Sequence, residues 1–170
     1  MTSDEVLDIL DCLELAGIPF WLDGGWGVDA LVGRQTRQHS DLDSVIELDR
    51  ADDVIACLAP LGFRVTLDDR PTRFVLTDHE GRHIDFHPVV FDDTGNGRQI
   101  GAGPNGGDAV YPADCFLGRG VIDGREVACL TPQLLVRHHL GYEPQDKDRH
   151  NVRLLCARFG LPVPAAYRGD

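Results

Sequence analysis

Two short segments alternate apolar with acidic residues, and they constrain the fold of this chain more than any other feature. The first is Asp41-Leu42-Asp43, opening a run to Leu48 whose apolar members are Leu42, Val45, Ile46 and Leu48. Residues i and i+2 of a strand point to one face, so Asp41 and Asp43 would project together, about 6–7 Å apart along the backbone. The second is His83-Ile84-Asp85-Phe86-His87, inside a strand expected from Arg82 to Val90. There Ile84 and Phe86 face a core, while His83, Asp85 and His87 share the other side. If the two strands lie side by side, three carboxylates converge. Such carboxylates repel unless a cation sits between them. Three can hold two divalent ions of the phosphoryl-transfer type, about 3.5–4 Å apart. Magnesium suits hard oxygen ligands completed by substrate phosphates. Taken singly, the Asp41/Asp43 pair also reads as a solvated strand end and Asp85 as the partner of an arginine. The H-x-D-x-H array also reads as a zinc site, or its histidines as residues that support the site from behind its ligands or lie at the surface.

The remaining pattern supplies the elements around these strands. Thr2 and Glu5 form a capping box ahead of Val6, Ile9, Leu10 and Leu13, the spacing of an amphipathic helix that Gly17 and Pro19 end. Ile18 to Leu22 reads as a short buried strand. Asp23-Gly24-Gly25-Trp26-Gly27 reads as a glycine-rich turn, followed by a short helix through Val28, Ala30 and Leu31. Asp49 is the expected N-cap of a helix carrying Ala51, Val54, Ile55 and Leu58. Phe63 to Leu67 reads as a strand, Arg73 to Thr77 and Arg82 to Val90 as a hairpin, and residues 92–110 as a long loop. Asp123-Gly124 marks a second hairpin. Thr131-Pro132 opens a helix, and Val152, Leu155 and Phe159 lie on the last one. This order predicts an α+β fold, a mixed sheet flanked by helices. Residues 1–125 would form the main domain. Residues 126–170, too short for a core of their own, would form a helical extension packed on it as one structural unit.

Charge narrows the function. Against 16 Lys+Arg the chain sets 28 Asp+Glu, a formal net charge of −12. It would repel phosphate backbones at long range, which argues against nucleic acid and against anionic membrane surfaces. The balance is lopsided within each sign: 22 Asp to 6 Glu, and 15 Arg to the single lysine, Lys147. The five cysteines show no C-x-x-C and no paired spacing, so free, mostly buried thiols in a reducing compartment are expected. The N-terminus lacks a basic-then-apolar leader, and no stretch approaches a membrane span, so a cytoplasmic protein is expected.

Two further groups flank the carboxylates. Gly24 and Gly25 stand between a strand and a helix, where a backbone can approach phosphate and helix N–H groups can meet it. Arg34-Gln35-Thr36-Arg37-Gln38-His39 sets two guanidinium groups just before Asp41, and arginine binds phosphate in a fork geometry. A plain tight turn and a solvated basic loop are the alternatives.

Glycine turn, short helix, basic loop, D-x-D strand and a third aspartate on a later strand form an order that resembles the DNA polymerase β-like nucleotidyltransferase superfamily. Within it, Trp21-Leu22-Asp23-Gly24-Gly25-Trp26-Gly27-Val28-Asp29, Thr36-Arg37-Gln38-His39-Ser40-Asp41-Leu42-Asp43 and Ile84-Asp85-Phe86-His87-Pro88 are similar to the small lincosamide nucleotidyltransferases. Related aminoglycoside enzymes share the first two elements. Gly141-Tyr142-Glu143 and Asp146-Lys147-Asp148 are similar to the C-terminal stretch of the lincosamide branch. The resemblance is dense over residues 20–48 and 82–91 and thin over 92–120. It departs in two places: Gly24-Gly25 stands where the superfamily commonly has Gly-Ser, and Ser44-Val45-Ile46-Glu47 replaces further alternating acids. Glu47 lies about 13 Å along the strand from Asp43, too far to join a metal site.

The resemblance implies that Asp41 and Asp43 ligate Mg2+, with Asp85 completing the site or acting as general base. Gly24, Gly25 and Arg37, with Arg34 beside them, would receive the triphosphate. The implied reaction is transfer of a nucleoside monophosphate from an NTP, ATP foremost, to a hydroxyl of a small molecule of the lincosamide type, with two Mg2+ ions. An aminoglycoside, sugar or metabolite hydroxyl is the alternative acceptor. An idle nucleotidyltransferase-like module that binds a partner protein, as an antitoxin does, is an alternative of another class. A zinc hydrolase using His83, Asp85 and His87 is a third. A two-fold homodimer is the default assembly.

Overall fold

The computed structural model describes residues 1–168. Its sheet is built on two parallel neighbours, β2 (Asp41–Glu47) and β5 (His83–Phe91), paired from Asp41 opposite His83 to Glu47 opposite Val89. β4 (Arg73–Thr77) pairs antiparallel with β5, and β3 (Arg64–Asp69) pairs with β4. On the other side of β2 come β1 (Phe20–Leu22), then β9 (Arg125–Cys129) and β8 (Gly118–Ile122), giving the order β3-β4-β5-β2-β1-β9-β8. The period-two expectation holds over Asp41–Asp43 and His83–His87 and lapses further along each strand. Leu42, Ile84 and Phe86 are buried, with Phe86 stacked on Phe74 at 4.9 Å, while Asp41 and His83 are exposed.

Helices cover the sheet. α1 (Ser3–Leu15) starts on the expected capping box, with Thr2 and Glu5 bonding reciprocally, and buries Val6, Ile9, Leu10 and Leu13. α3 (Ala51–Leu58) packs on α1. α2 (Gly24–Val32) touches β2 and β8, and α5 (Asp146–Phe159) packs on both α2 and α4 (Pro132–His138). The C-terminal helices thus lie against the same helix that the two glycines open. Among the described residues no helix is long and apolar enough to cross a membrane.

Four expectations need correction. Gly24 to Gly27 are the first turn of α2 rather than a turn before it. Asp23 caps the helix, its carboxylate accepting the Gly24 N–H at 2.8 Å, and burial of Trp26 and Val28 outweighs the low helix propensity of glycine. Asp49 is not an N-cap: it lies within a 3-10 turn, Leu48–Arg50, and α3 begins beyond it. The loop of residues 92–110 contains a small hairpin, β6 (Gly97–Gln99) with β7 (Ala109–Tyr111), attached to the end of β5. Its strands are three residues each, too short to show a period. Finally, Cys12 and Cys57 form a disulfide between α1 and α3, while Cys115, Cys129 and Cys156 are free and buried. That pair is set by two packed helix faces, and a spacing of 45 residues carries no signal for it.

Candidate active site

The end of β1 and the start of α2 fix the first part of the site. Asp23 donates its backbone N–H to Asp43 O at 3.0 Å, tying the helix start to the D-x-D strand. Its carboxylate also faces His138 Nδ1 at 3.1 Å. Burial pushes Asp23 up, but the nearby imidazoles of His138 and His87 and the Gly24 N–H outweigh it and hold the carboxyl at about 2. Gly24 adopts φ +56°, and a Cβ there would strike the Asp43 carboxylate. A Cβ on Gly25 would meet Arg37 Nη2 at 2.5 Å and crowd the ring of His39. Both positions therefore require glycine, one for its backbone angle and both for space.

The register of β2 and β5 sets Asp43 directly opposite Asp85. Asp43, Asp85 and His87 each offer one ligand atom, and these atoms lie within 4.8 Å of one another. His87 Nε2 is 3.7 Å from Asp43 Oδ1. Burial would lower His87, but Asp43, Asp23 and Asp85 around it raise it. Asp85 holds one oxygen 3.3 Å from Arg73 Nη2, and its other oxygen is buried with no hydrogen-bond partner. Burial raises the Asp85 carboxyl; His87 and Arg73 pull it down, and Asp43 and Asp41 push it further up. Asp41 lines the same cleft at the exposed start of β2, outside that close group.

These residues open into a cleft of about 570 Å³. One wall is Gly24, Gly25, Arg37 and the α5 residues Lys147 and Asn151; the other is Thr72 in the β3–β4 turn, Arg73 at the start of β4, and Gln99 and Tyr111 from the β6–β7 hairpin. Gln99 braces that second wall, donating to Thr72 O at 2.9 Å and accepting from Tyr111 OH at 2.9 Å. Arg37 donates from Nε to Asn151 Oδ1 at 3.5 Å, so α5 holds the basic loop. Beneath that loop Asp29 is buried. It accepts from Thr36 N at 3.0 Å and Thr36 Oγ1 at 2.5 Å, and pairs with His39 Nε2 at 2.5 Å. Burial would raise Asp29, and these hydrogen bonds lower it.

Of the residues expected at the site, the fold brings together Gly24, Gly25, Arg37, Asp41 and Asp43 in the cleft lining and Asp85 beside Asp43. Arg34 is elsewhere. It is exposed, next to Ser3, Gln35 and the β8–β9 turn, because Gly33 in a left-handed conformation ends α2 and sends the chain away from the cleft. His83 is also outside: it is exposed and meets Thr77 Oγ1 at 2.9 Å, so the three residues of the H-x-D-x-H array do not converge. His87 stands within the acidic group rather than at the surface. Arg73, Gln99, Tyr111, His138 and Asn151 were not foreseen, since single polar residues on five separate elements leave no spacing to read.

A helix started by two glycines, beside paired strands that each present a carboxylate, is the arrangement of a nucleotidyltransferase. The family model described as Aminoglycoside-2''-adenylyltransferase matches residues 5–155, and the chain belongs to this family. It is 33% identical over 155 residues to a lincosamide resistance protein of Staphylococcus haemolyticus, covering 91% of this chain and 94% of that protein. It is 29% identical over 160 residues to a 2''-aminoglycoside nucleotidyltransferase of Klebsiella pneumoniae, covering 89% of this chain and 84% of that one. Among solved structures, the lincomycin-bound lincosamide antibiotic adenylyltransferase LnuA superposes with a TM-score of 0.81 at 32% identity, over 91% of this chain and 96% of that one. The chain is thus a nucleotidyltransferase in fold and in kind.

Proposed function

We propose that this enzyme transfers the nucleoside monophosphate of ATP to a hydroxyl of a lincosamide-type antibiotic, with Mg2+ bound at the carboxylates. The observation that carries the metal is the buried, unpartnered oxygen of Asp85, on a carboxylate that groups with Asp43 and His87 within 4.8 Å. An orphaned carboxylate oxygen beside a second carboxylate is the donor set a hard divalent cation completes. Asp43 and Asp85 would hold it, with Asp41 at the exposed edge. His87 offers nitrogen, a poor ligand for magnesium, and serves as the charge partner of Asp43. Bound there, Mg2+ would neutralise charge developing on the phosphates.

The chain's own residues do the rest. Gly24, Gly25 and the start of α2 let the triphosphate approach backbone N–H groups, and Arg37 takes it in a charge-assisted fork. A carboxylate oxygen of Asp85 accepts the proton of the acceptor hydroxyl. The hydroxyl oxygen attacks the α-phosphorus, the bond from that phosphorus to the bridging oxygen breaks, and pyrophosphate leaves. The acceptor assignment rests on kinship with the lincosamide resistance protein and with LnuA.

The test is pyrophosphate release with each NTP, Mg2+ and a panel of lincosamides, aminoglycosides and sugars, with products read by mass spectrometry. The expected product is lincomycin plus one adenylyl group. Asp43→Asn and Asp85→Asn should each lose about a hundred-fold or more in kcat. Near-normal turnover of either variant sinks the mechanism. Stoichiometric zinc in the purified protein without NTP turnover would move the reading to a hydrolase.

A further inference from the structure

Three histidines line the cleft, and their ring nitrogens are not equally engaged. His87 faces Asp43 with Nε2 at 3.7 Å and meets Gln99 Nε2 with Nδ1 at 3.3 Å. His139 is buried, donates from Nδ1 to Leu135 O at 2.7 Å and meets Asn151 Nδ2 with Nε2 at 3.2 Å. His138, the last residue of α4, differs. Its Nδ1 faces both oxygens of the Asp23 carboxylate, at 3.1 and 3.3 Å, and its Nε2 has no partner among the described residues. Tyr111 packs edge-on against the ring, with centroids 5.3 Å apart at 75°, and is itself fixed by its hydroxyl, which donates to Gln99 Oε1. The His138 side chain keeps 30% of its surface open. An imidazole held at two points thus presents an unused nitrogen to the cleft that it lines.

The partner of Nδ1 decides what the open nitrogen can do. Asp23 already accepts the Gly24 N–H at 2.8 Å, and an ionised carboxylate only accepts. Nδ1 must therefore carry the proton, and in the neutral ring Nε2 is left with its lone pair. An open lone pair asks for an O–H or N–H donor. Asp23 also ties His138 to the reacting end of the cleft, since its backbone N–H donates to Asp43 O at 3.0 Å. We infer that His138 binds the acceptor by accepting a hydrogen bond at Nε2 from a hydroxyl next to the one that reacts. The inference rests on the nucleotidyl-transfer reading and narrows its acceptor to a sugar ring with neighbouring hydroxyls. One hydroxyl gives its proton to Asp85; its neighbour, across Asp23 from that carboxylate group, is held by His138. Because Asp23 fixes the tautomer, His138 selects for a donor and disfavours an ether or a bare hydrogen at that position.

Asparagine puts an amide nitrogen where Nδ1 stands and nothing where Nε2 stands, whereas glutamine reaches the Nε2 position with its amide. His138→Asn thus keeps the Asp23 contact and removes the proposed one. With ATP and Mg2+, its KM for lincomycin should rise about ten-fold, while KM for ATP and Tm stay at wild-type values. His138→Gln should recover part of the loss. The second arm uses lincomycin derivatives in which each hydroxyl flanking the adenylylated one is replaced by hydrogen. The wild type should lose about ten-fold in kcat/KM on one of them, and His138→Asn should use that one as well as it uses lincomycin. Equal use of all the derivatives by the wild type, or undiminished discrimination in His138→Asn, overturns the assignment alone. So does a loss confined to kcat, which would make His138 a proton acceptor and not a binding group. A wild type that adenylylates no lincosamide overturns the acceptor reading and this assignment with it.

Discussion

At the scale of single residues, Gly24 and Asp23 show how little of this site depends on side-chain bulk and how much on position. Gly24→Ala would put a methyl group against the Asp43 carboxylate on a backbone at φ +56°. It should cost about 1–3 kcal/mol of stability. Activity should fall further than stability, because Asp43 is the group displaced; Tm and kcat measured on one preparation separate the two. Asp23 predicts a pH effect. Its folded-state pKa of about 2 lies below the ordinary carboxylate value of 3.8, so the ionised form contributes stability above pH 4. That contribution should fade as the pH falls from about 4 through 2, about 2 kcal/mol in all. Denaturant titrations should show Asp23→Asn less stable than the wild type at pH 6, with the gap closing by pH 2. A constant gap across that range would remove the ionic account of Asp23.

At the scale of elements, the loop between α2 and β2 is held from below by one buried carboxylate. Asp29 serves Thr36 twice and His39 once, all at 3.0 Å or less. Asp29→Ala should cost about 1–3 kcal/mol and raise amide exchange across residues 34–40, with KM for ATP rising because Arg37 loses its support. Unchanged exchange in that loop would argue against such a tether. This element also marks the limit of what the sequence discloses. The carboxylate strands were readable because a period of two survives in short runs, and Thr2 with Glu5 announced α1. Asp29 and His39 stood inside the family-like motifs, yet only the fold reveals that they pair with each other. The placement of Arg34 was misread because two arginines three residues apart look equivalent until a left-handed Gly33 turns one of them outward. Arg73, Gln99, Asn151 and the Cys12–Cys57 pair depend on which elements pack together, and that information is not local.

At the scale of the whole molecule, a strongly acidic body carries a recess in which Arg37, Arg73 and Lys147 stand among carboxylates. The field of a chain of charge −12 repels an approaching anionic nucleotide, and at physiological salt that repulsion is screened beyond about 8–10 Å. Raising ionic strength from about 10 to 100 mM should therefore increase kcat/KM for ATP. A steep fall over the same range would mean that the recess, not the body, governs encounter. The two walls of the cleft differ in another way. On the wall proposed to take the nucleotide, any missense change of a glycine codon installs a side chain, and neither Gly24 nor Gly25 has room for it. On the facing side stand Thr72, Ala102 and Ala109, small residues at the rim of a half-open space. Mutational drift toward new acceptors has somewhere to go on that wall alone, and selection with altered antibiotics should collect its changes there.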